Sequence, residues 1–336
     1  MAEIAPVFVA TPEDGEARHQ EATGPSWRCS KTLGDTPDLL VVCSIRRWVA
    51  DDLRAGAAGR YPVRWDMGLD LPDLGDAETT AWWAPAEHAA RLLRADVRLD
   101  LSAPGPDWLS RIPAEMTGRP IWSGRLSDLG EAPGKGWSKP AEAKVPGFPA
   151  AWRTRDELLL AAEEAGFPGD GWVQVSPVRL ELEEEHRAFV LDGVVVAASP
   201  YLLGAYDGDC ITYEPGWEDD ASFAHDQARS YAQEVVDEMG DDQPQSYALD
   251  VGRTTAGRWV VVEANPAWCS GAYGCDLRAV ADAVVASSFT AASPTAAASD
   301  EPSRHGRFVW VPDAYLVTFA EKAPVLRPRA MAVPHR

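Results

Sequence analysis

The stretch that most constrains this chain is Gln245–Asp276, QSYALDVGRTTAGRWVVVEANPAWCSGAYGCD. Two β-rich runs, Ser246–Gly252 and Arg258–Ala264, flank a glycine-containing turn, which predicts an antiparallel hairpin followed by a polar loop. The second run is β-branched and aromatic (Trp259, Val260, Val261, Val262), then switches abruptly to Glu263, Ala264 and Asn265. Side chains on a strand alternate faces, so Glu263 and Asn265 are expected to share one with Val261. Asp250 joins that face if the residue numbers paired across the hairpin sum to an odd value such as 511 or 513. Three oxygen-bearing side chains on an apolar sheet face are costly unless something offsets them. A hard divalent cation does so, and two carboxylates with one amide oxygen suit Mg²⁺ better than zinc or iron. The plainer reading makes Asp250 and Glu263 solvated ends of an exposed hairpin. It is disfavoured because VVVEANP carries no other charge.

An Asp, a Glu thirteen residues on and then x-Asn, closing a VVVEAN strand, resembles the metal site of the ATP-grasp carboxylate–amine ligases. Asp250, Glu263 and Asn265 match that motif residue by residue, and SGAYGCD (Ser270–Asp276) resembles a bacterial branch of the superfamily. The likeness extends over roughly Thr117 to Ala292. It implies an α/β (α+β) chain with an ATP-grasp fold behind an N-terminal α/β domain, and ATP and Mg²⁺ as cofactors.

Composition narrows the partners. A formal charge of −21 argues against nucleic acid and anionic membranes, both of which need basic surface. No charged-then-apolar N-terminus or long apolar run is present, so a soluble cytoplasmic protein is expected. The five cysteines form no CxxC pair and no zinc spacing, and are expected as buried or free thiols. Of five lysines, three (Lys135, Lys139, Lys144) fall within ten residues, which marks a local need for cations in an arginine-rich, acidic chain.

Along the chain, residues 1–125 read as the N-terminal domain. Its strands are expected at Pro6–Ala10, Leu39–Cys43, Val97–Leu101 and Arg119–Trp122, with a helix from Pro85 and a short helix near DWLSRIP. RAGAAGR (Arg54–Arg60) reads as a surface loop, and the adjacent Trp82 and Trp83 must face opposite ways. Residues 126–290 read as the ATP-grasp domain, with a lysine and hinge part to about 180 and a metal-binding part beyond it. Lys139 ends a short strand at GWSKP, where Pro140 has no N–H to continue a ladder. Thr154–Gly166 opens with a Thr-x-x-Glu capping box, and a hairpin turns at Asp192-Gly193. Tyr206–Asp220 is an acidic, irregular loop, followed by a helix to Met239 and another over Leu277–Ala291. Residues 291–303 form an Ala/Ser/Pro linker, and the tail 304–336 holds apolar residues that dock back or pair with a second subunit.

The resemblance also implies roles. Lys139 matches the lysine that contacts the α- or β-phosphate, and Lys144 reaches the same anion or the substrate. Val175–Arg179 occupies the hinge that reads adenine through its backbone, with Val175, Ser176 and Val178 as its contacts, and Glu185 corresponds to the ribose acid. Arg187 reads as a phosphate or acyl-phosphate ligand. Ser270, Gly271 and Tyr273 are placed at the substrate. Two departures stand out. The arginine often found two residues before the metal Asp is Ala248 here, leaving Arg187 or Arg253 to supply that charge. No lysine lies between Lys31 and Lys135, and Arg111 or Arg119 could replace an early phosphate lysine, since guanidinium binds phosphate well. The expected reaction joins a carboxylate to an amine through an acyl phosphate, with an amino acid or short peptide as substrate. A phosphotransferase without acyl phosphate and a non-catalytic nucleotide-binding module are the alternatives.

Overall fold

The structure, a computed structural model, describes residues 36–68, 70–203, 221–291 and 304–327. The expected strand at Pro6–Ala10, the Tyr206–Asp220 loop and the linker from 292 to 303 lie outside these residues. Three four-stranded sheets organise the rest.

The first sheet is built on β1 (Leu39–Cys43), flanked by α1 (Arg47–Ala57), β2 (Val63–Asp66), β3 (Thr79–Trp83) and α2 (Ala86–Arg94). β1 lies between β2 and β3 and parallel to both. All five of its side chains are apolar and buried, as a parallel strand covered on both faces requires. Leu40, Val42 and Trp83 pack with α1 on one side, while Leu39, Val41 and Trp82 pack with α2 on the other. The two tryptophans therefore serve different cores. RAGAAGR is not a surface loop, because its first four residues complete α1. The missing side chain of Gly56 explains this, since a Cβ there would collide with the Leu277 carbonyl on a helix packed against it. Val97–Leu101 forms no ladder, and the neighbouring Ser102 makes a single bridge to Val309.

Two short helices, α3 (Trp108–Arg111) and α4 (Ala114–Thr117), lead into the second sheet. Its elements are β4 (Trp122–Arg125), β5 (Lys135–Pro140), β6 (Ala151–Thr154), α5 (Arg155–Glu164) and β7 (Trp172–Ser176), in the order β4-β7-β5-β6. The expected strand at Arg119–Trp122 begins only at Trp122, because Pro120 has no N–H to donate. β4 pairs with β7, so strand residues expected in the preceding domain belong to the lysine sheet. The Thr154–Glu157 capping box is formed.

The third sheet comprises β8 (Leu182–Leu191), β9 (Val194–Leu203), β10 (Ser246–Thr254) and β11 (Trp259–Asn265), in the order β11-β10-β8-β9, with α6 (Ala221–Met239) joining its halves. The β8–β9 turn places Asp192 and Gly193 at φ 51° and 74°, the left-handed pair a two-residue hairpin needs. α6 packs on the face carrying Val190, Tyr247 and Leu249, and α7 (Leu277–Ser288) on the face carrying Phe189 and Ala248. Asp276 caps α7 by accepting from the Ala279 N–H at 2.8 Å. β12 (Thr290–Ala291) then returns to pair with β3. The tail docks back: Trp310 meets Trp268 edge-on, with ring centroids 4.9 Å apart, and α8 (Ala314–Lys322) packs on α2. Among the described residues, no helix is long and apolar enough to cross a membrane.

Candidate functional site

The site begins with an irregularity in the β10–β11 hairpin. Near the turn the register is Val251↔Val261, but beyond it the pairs are Asp250↔Glu263 and Ala248↔Asn265. Val262 is the extra residue of a β-bulge, a device that re-aims a strand's side chains. Val261 is buried in the core with Val251, while Glu263 turns to the opposite face beside Asp250. The expectation that Glu263 shares a face with Val261 is therefore overturned. The odd sum of 513 for Asp250 and Glu263 exists only because of the bulge.

Arg119 holds the bulge in place. Its guanidinium donates to the carbonyls of Val261 (3.0 Å), Val262 (3.1 Å) and Thr117 (2.9 Å). Burial pulls its pKa down to about 10, so the group remains cationic at neutral pH.

Asp250, Glu263 and Asn265 converge. The Asn265 amide nitrogen lies 3.0 Å from Glu263 Oε1 and 3.2 Å from Asp250 Oδ2. Both carboxylates carry cations of the chain itself. Arg187 forks onto Asp250 through Nε (2.8 Å) and Nη2 (2.7 Å), and both side chains are buried. Burial alone would lower the Arg187 pKa, but the Asp250 carboxylate outweighs it and holds the guanidinium above its ordinary range. Lys139, from the neighbouring sheet, reaches Glu263 Oε2 at 2.5 Å and depresses that carboxyl to about 2. Glu185 stands on the same face, hydrogen-bonded by the Tyr201 hydroxyl and pushed up by burial. Tyr201 and Tyr273 stack with centroids 5.0 Å apart, and the Arg187 guanidinium lies 5.5 and 5.0 Å from their ring centres.

Oxygen donors from two carboxylates and an amide, already balanced by two cations, fit a hard divalent ion. Rotating the Asn265 amide by half a turn presents its oxygen to the same point. Among the described residues no group of three or more His, Cys, Asp or Glu side chains is arranged to hold a metal ion. A cleft of about 580 Å³ opens beside Lys139, between β5 and β7 on one side and the end of β11 on the other. Arg119, Lys144, Val175 and Ser176 line it together with Lys139, Glu263 and Asn265. Its volume is within the range of sites for nucleotide-sized ligands.

A family model of the ATP-grasp domain, family 2 of the R-2-K clade, matches residues 116–283, which is half of the chain. The chain belongs to this ATP-grasp family. A comparison with curated proteins finds no match. Among solved structures, the chain is similar to a RimK-domain ATP-grasp protein from Sphaerobacter thermophilus, at 20% identity and a TM-score of 0.41, over 74% of this chain and 99% of that one. It is similar to a D-cycloserine synthetase at 16% identity and a TM-score of 0.42, over 74% and 98% of the two chains. For a D-alanine–D-alanine ligase from Bacillus anthracis complexed with ATP, the values are 12%, 0.35, 69% and 86%.

Within this ATP-grasp chain, several residues stand elsewhere than their motifs suggested. Arg253 is on the opposite face of the third sheet, paired with Glu184 and 3.7 Å from Glu183, so it cannot serve charge developing at Asp250. Arg187 is on the Asp250 face but spends its fork on Asp250 and does not line the cleft. Glu185 is likewise absent from the cleft wall and engaged by Tyr201. Val178 points away, 42% exposed, and its amide N–H donates to the Ser176 hydroxyl at 3.2 Å. Arg119 lines the cleft while three of its N–H groups hold backbone carbonyls. Arg111 pairs with Asp242 at 3.0 Å. Ser270 is buried, its hydroxyl donating to the Pro266 carbonyl at 2.8 Å, so it offers nothing to a substrate. Gly271 follows it in the loop, and Tyr273 stands half exposed at φ 49° beside Arg187. Sequence reasoning misses Tyr201, because its role depends on how β9 lies against β8 and no local motif marks it.

Proposed function

We propose that this protein is an ATP-dependent ligase that joins a carboxylate to an amine through an acyl phosphate, releasing ADP and phosphate. What carries this reading is the position of Lys139. It closes the gap between the nucleotide-sized cleft and the Asp250–Glu263–Asn265 group, with its ammonium on Glu263. When nucleotide enters, Lys139 exchanges that carboxylate for a phosphate oxygen, as a point charge on a flexible stem can. Asp250, Glu263 and Asn265 are the residues that would hold Mg²⁺, which would supply charge compensation for the phosphates. Lys144 adds positive charge at the cleft wall, and Val175 and Ser176 line the part of the cleft where the base would sit. Arg187 orients Asp250 and opposes the burial that pushes its carboxyl pKa up. Tyr273, half exposed beside it, is placed to meet the substrate.

In the first step a carboxylate oxygen bonds to the γ-phosphorus as the bond to the bridging oxygen breaks, and ADP leaves. In the second the amine nitrogen bonds to the acyl carbon and gives up a proton to the departing phosphate, which leaves with the carbon–oxygen electron pair. The cations that line the cleft, Lys139 and Lys144, stabilise both charge shifts. The substrates are small carboxylates and amines, with amino acids or short peptides as the first to try.

The test is ADP release from Mg-ATP across pairs of amino acids, with and without hydroxylamine. ADP accompanied by a hydroxamate supports the ligase. ADP accompanied by a phosphorylated product that resists hydroxylamine replaces it with a phosphotransferase, and ATP binding without ADP from any pair replaces it with a binding module.

A further inference from the structure

Behind the nucleotide cleft lies a second, smaller cavity of about 60 Å³. Trp108, Leu109, Trp310 and Leu316 provide apolar walls, and Glu142 and Gln174 are its polar residues from the lysine sheet. It shares Lys139, Glu263 and Asn265 with the cleft, so it opens onto the reacting centre. By volume it holds several waters or a short aliphatic group.

Glu142 makes no hydrogen bond or ion pair among the described residues, and the Gln174 side-chain nitrogen is spent on the Pro106 carbonyl at 3.2 Å, leaving its oxygen without a protein partner. Glu142 is half-buried and Gln174 buried, and as lining residues whose acceptor oxygens have no protein partner they are open to a donor that enters the cavity. The charges around them supply none. Lys139 is engaged with Glu263, and Lys144 lines the outer cleft without bonding Glu142. Asp313 already accepts from the Trp172 and Tyr315 N–H groups, and Asp107 lies 3.9 Å from Arg111. Burial foremost, then Asp313 and Asp107, push the Glu142 carboxyl up to about 8, while burial raises the Cys269 thiol in the same wall to about 12. Glu142 therefore ionises at mildly alkaline pH, and a cation is the partner that would stabilise its charged form. One carboxylate and one amide are too few oxygens for a metal, whereas indole walls suit an organic ammonium.

We propose that this inner cavity binds a primary ammonium group on a small apolar body, with Glu142 and Gln174 as its acceptors, and that it seats the amine substrate, an assignment that rests on the ligase reading. The probe is 1-propylamine, with 1-propanol as the uncharged control, titrated into the full-length protein at pH 8 and followed by NMR. Propylammonium binds at least about tenfold more tightly than propanol, and Glu142→Gln removes that preference while leaving propanol binding unchanged. Relief of an unpartnered carboxyl leaves this variant folded. Ala86→Leu, which fills the cavity from α2 without altering Glu142, abolishes propylamine binding and gives an independent check. Equal affinity for amine and alcohol, or an unchanged amine affinity in both variants, overturns the site. Binding is read without turnover, so a protein that releases no ADP with any substrate pair refutes the ligase alone.

Discussion

Replacing Arg119 with Met removes the clamp on the β11 bulge and keeps most of the side chain's length. Three N–H···O bonds, at 2.9, 3.0 and 3.1 Å, are lost, and the carbonyls of Val261 and Val262 lose these partners. Bonds from a charged donor contribute about 1.5–3 kcal/mol each before the cost of burying the donor. That cost is real here, since burial pulls the guanidinium down to about 10. A net loss of roughly 2–4 kcal/mol follows. Urea unfolding followed by tryptophan fluorescence measures it. The second readout is specific to the bulge. Without the clamp the strand can settle into the even register, which turns Glu263 away from Asp250. The thermal shift with Mg-ATP should then fall by more than the shift with ATP in EDTA, at a temperature where the variant is fully folded. A stability loss below about 1 kcal/mol, or equal shifts with and without Mg²⁺, refutes the clamp.

Two further predictions concern the carboxylates. Glu263→Gln abolishes ADP release and leaves the protein folded, at a cost no larger than the Lys139 pair contributes, about 1–2 kcal/mol. Asp250→Asn also abolishes it and costs about 3 kcal/mol besides, because Arg187 stays buried without its counter-charge; normal turnover by either variant in the ADP assay removes the metal assignment. The Lys139–Glu263 pair gives a pH signature. The Glu263 pKa is depressed to about 2, so its contribution is fully present above its ordinary value of 4.5 and is lost as pH falls through 2. With the carboxylate side chain 30% exposed, that contribution is about 1–2 kcal/mol, and Lys139→Ala flattens stability between these pH values as measured by urea unfolding. The same variant weakens nucleotide binding, and an unchanged Mg-ATP thermal shift would remove Lys139 from the site.

Much of the fold was legible because it is written locally. The capping box at Thr154, the Asp192-Gly193 turn and the all-apolar β1 each follow from a few adjacent residues. The misreadings came from distant contacts. α1 runs through Gly56 because α7, from the far end of the chain, needs the space. Val97–Leu101 has a strand-like composition but enters no strand ladder, its backbone bonding instead to the tail at Trp310. Arg187 and Arg253 look alike in sequence, yet the parity of β8 and β10 sends one to the Asp250 face and the other to Glu184.

Sequence alone determined which side chains could make a hard-cation site, that they lie on a hairpin, and that a lysine cluster serves the same domain. It left open which way those side chains point. Facing is a matter of parity, and one unpaired residue inverts it for the rest of a strand. Tertiary structure decided it at Val262, through an arginine more than a hundred positions away that grips two backbone carbonyls. The Glu142 cavity is of the same kind: its acceptors and indole walls come from segments scattered along the chain, and only the packing of the tail onto the lysine sheet encloses them.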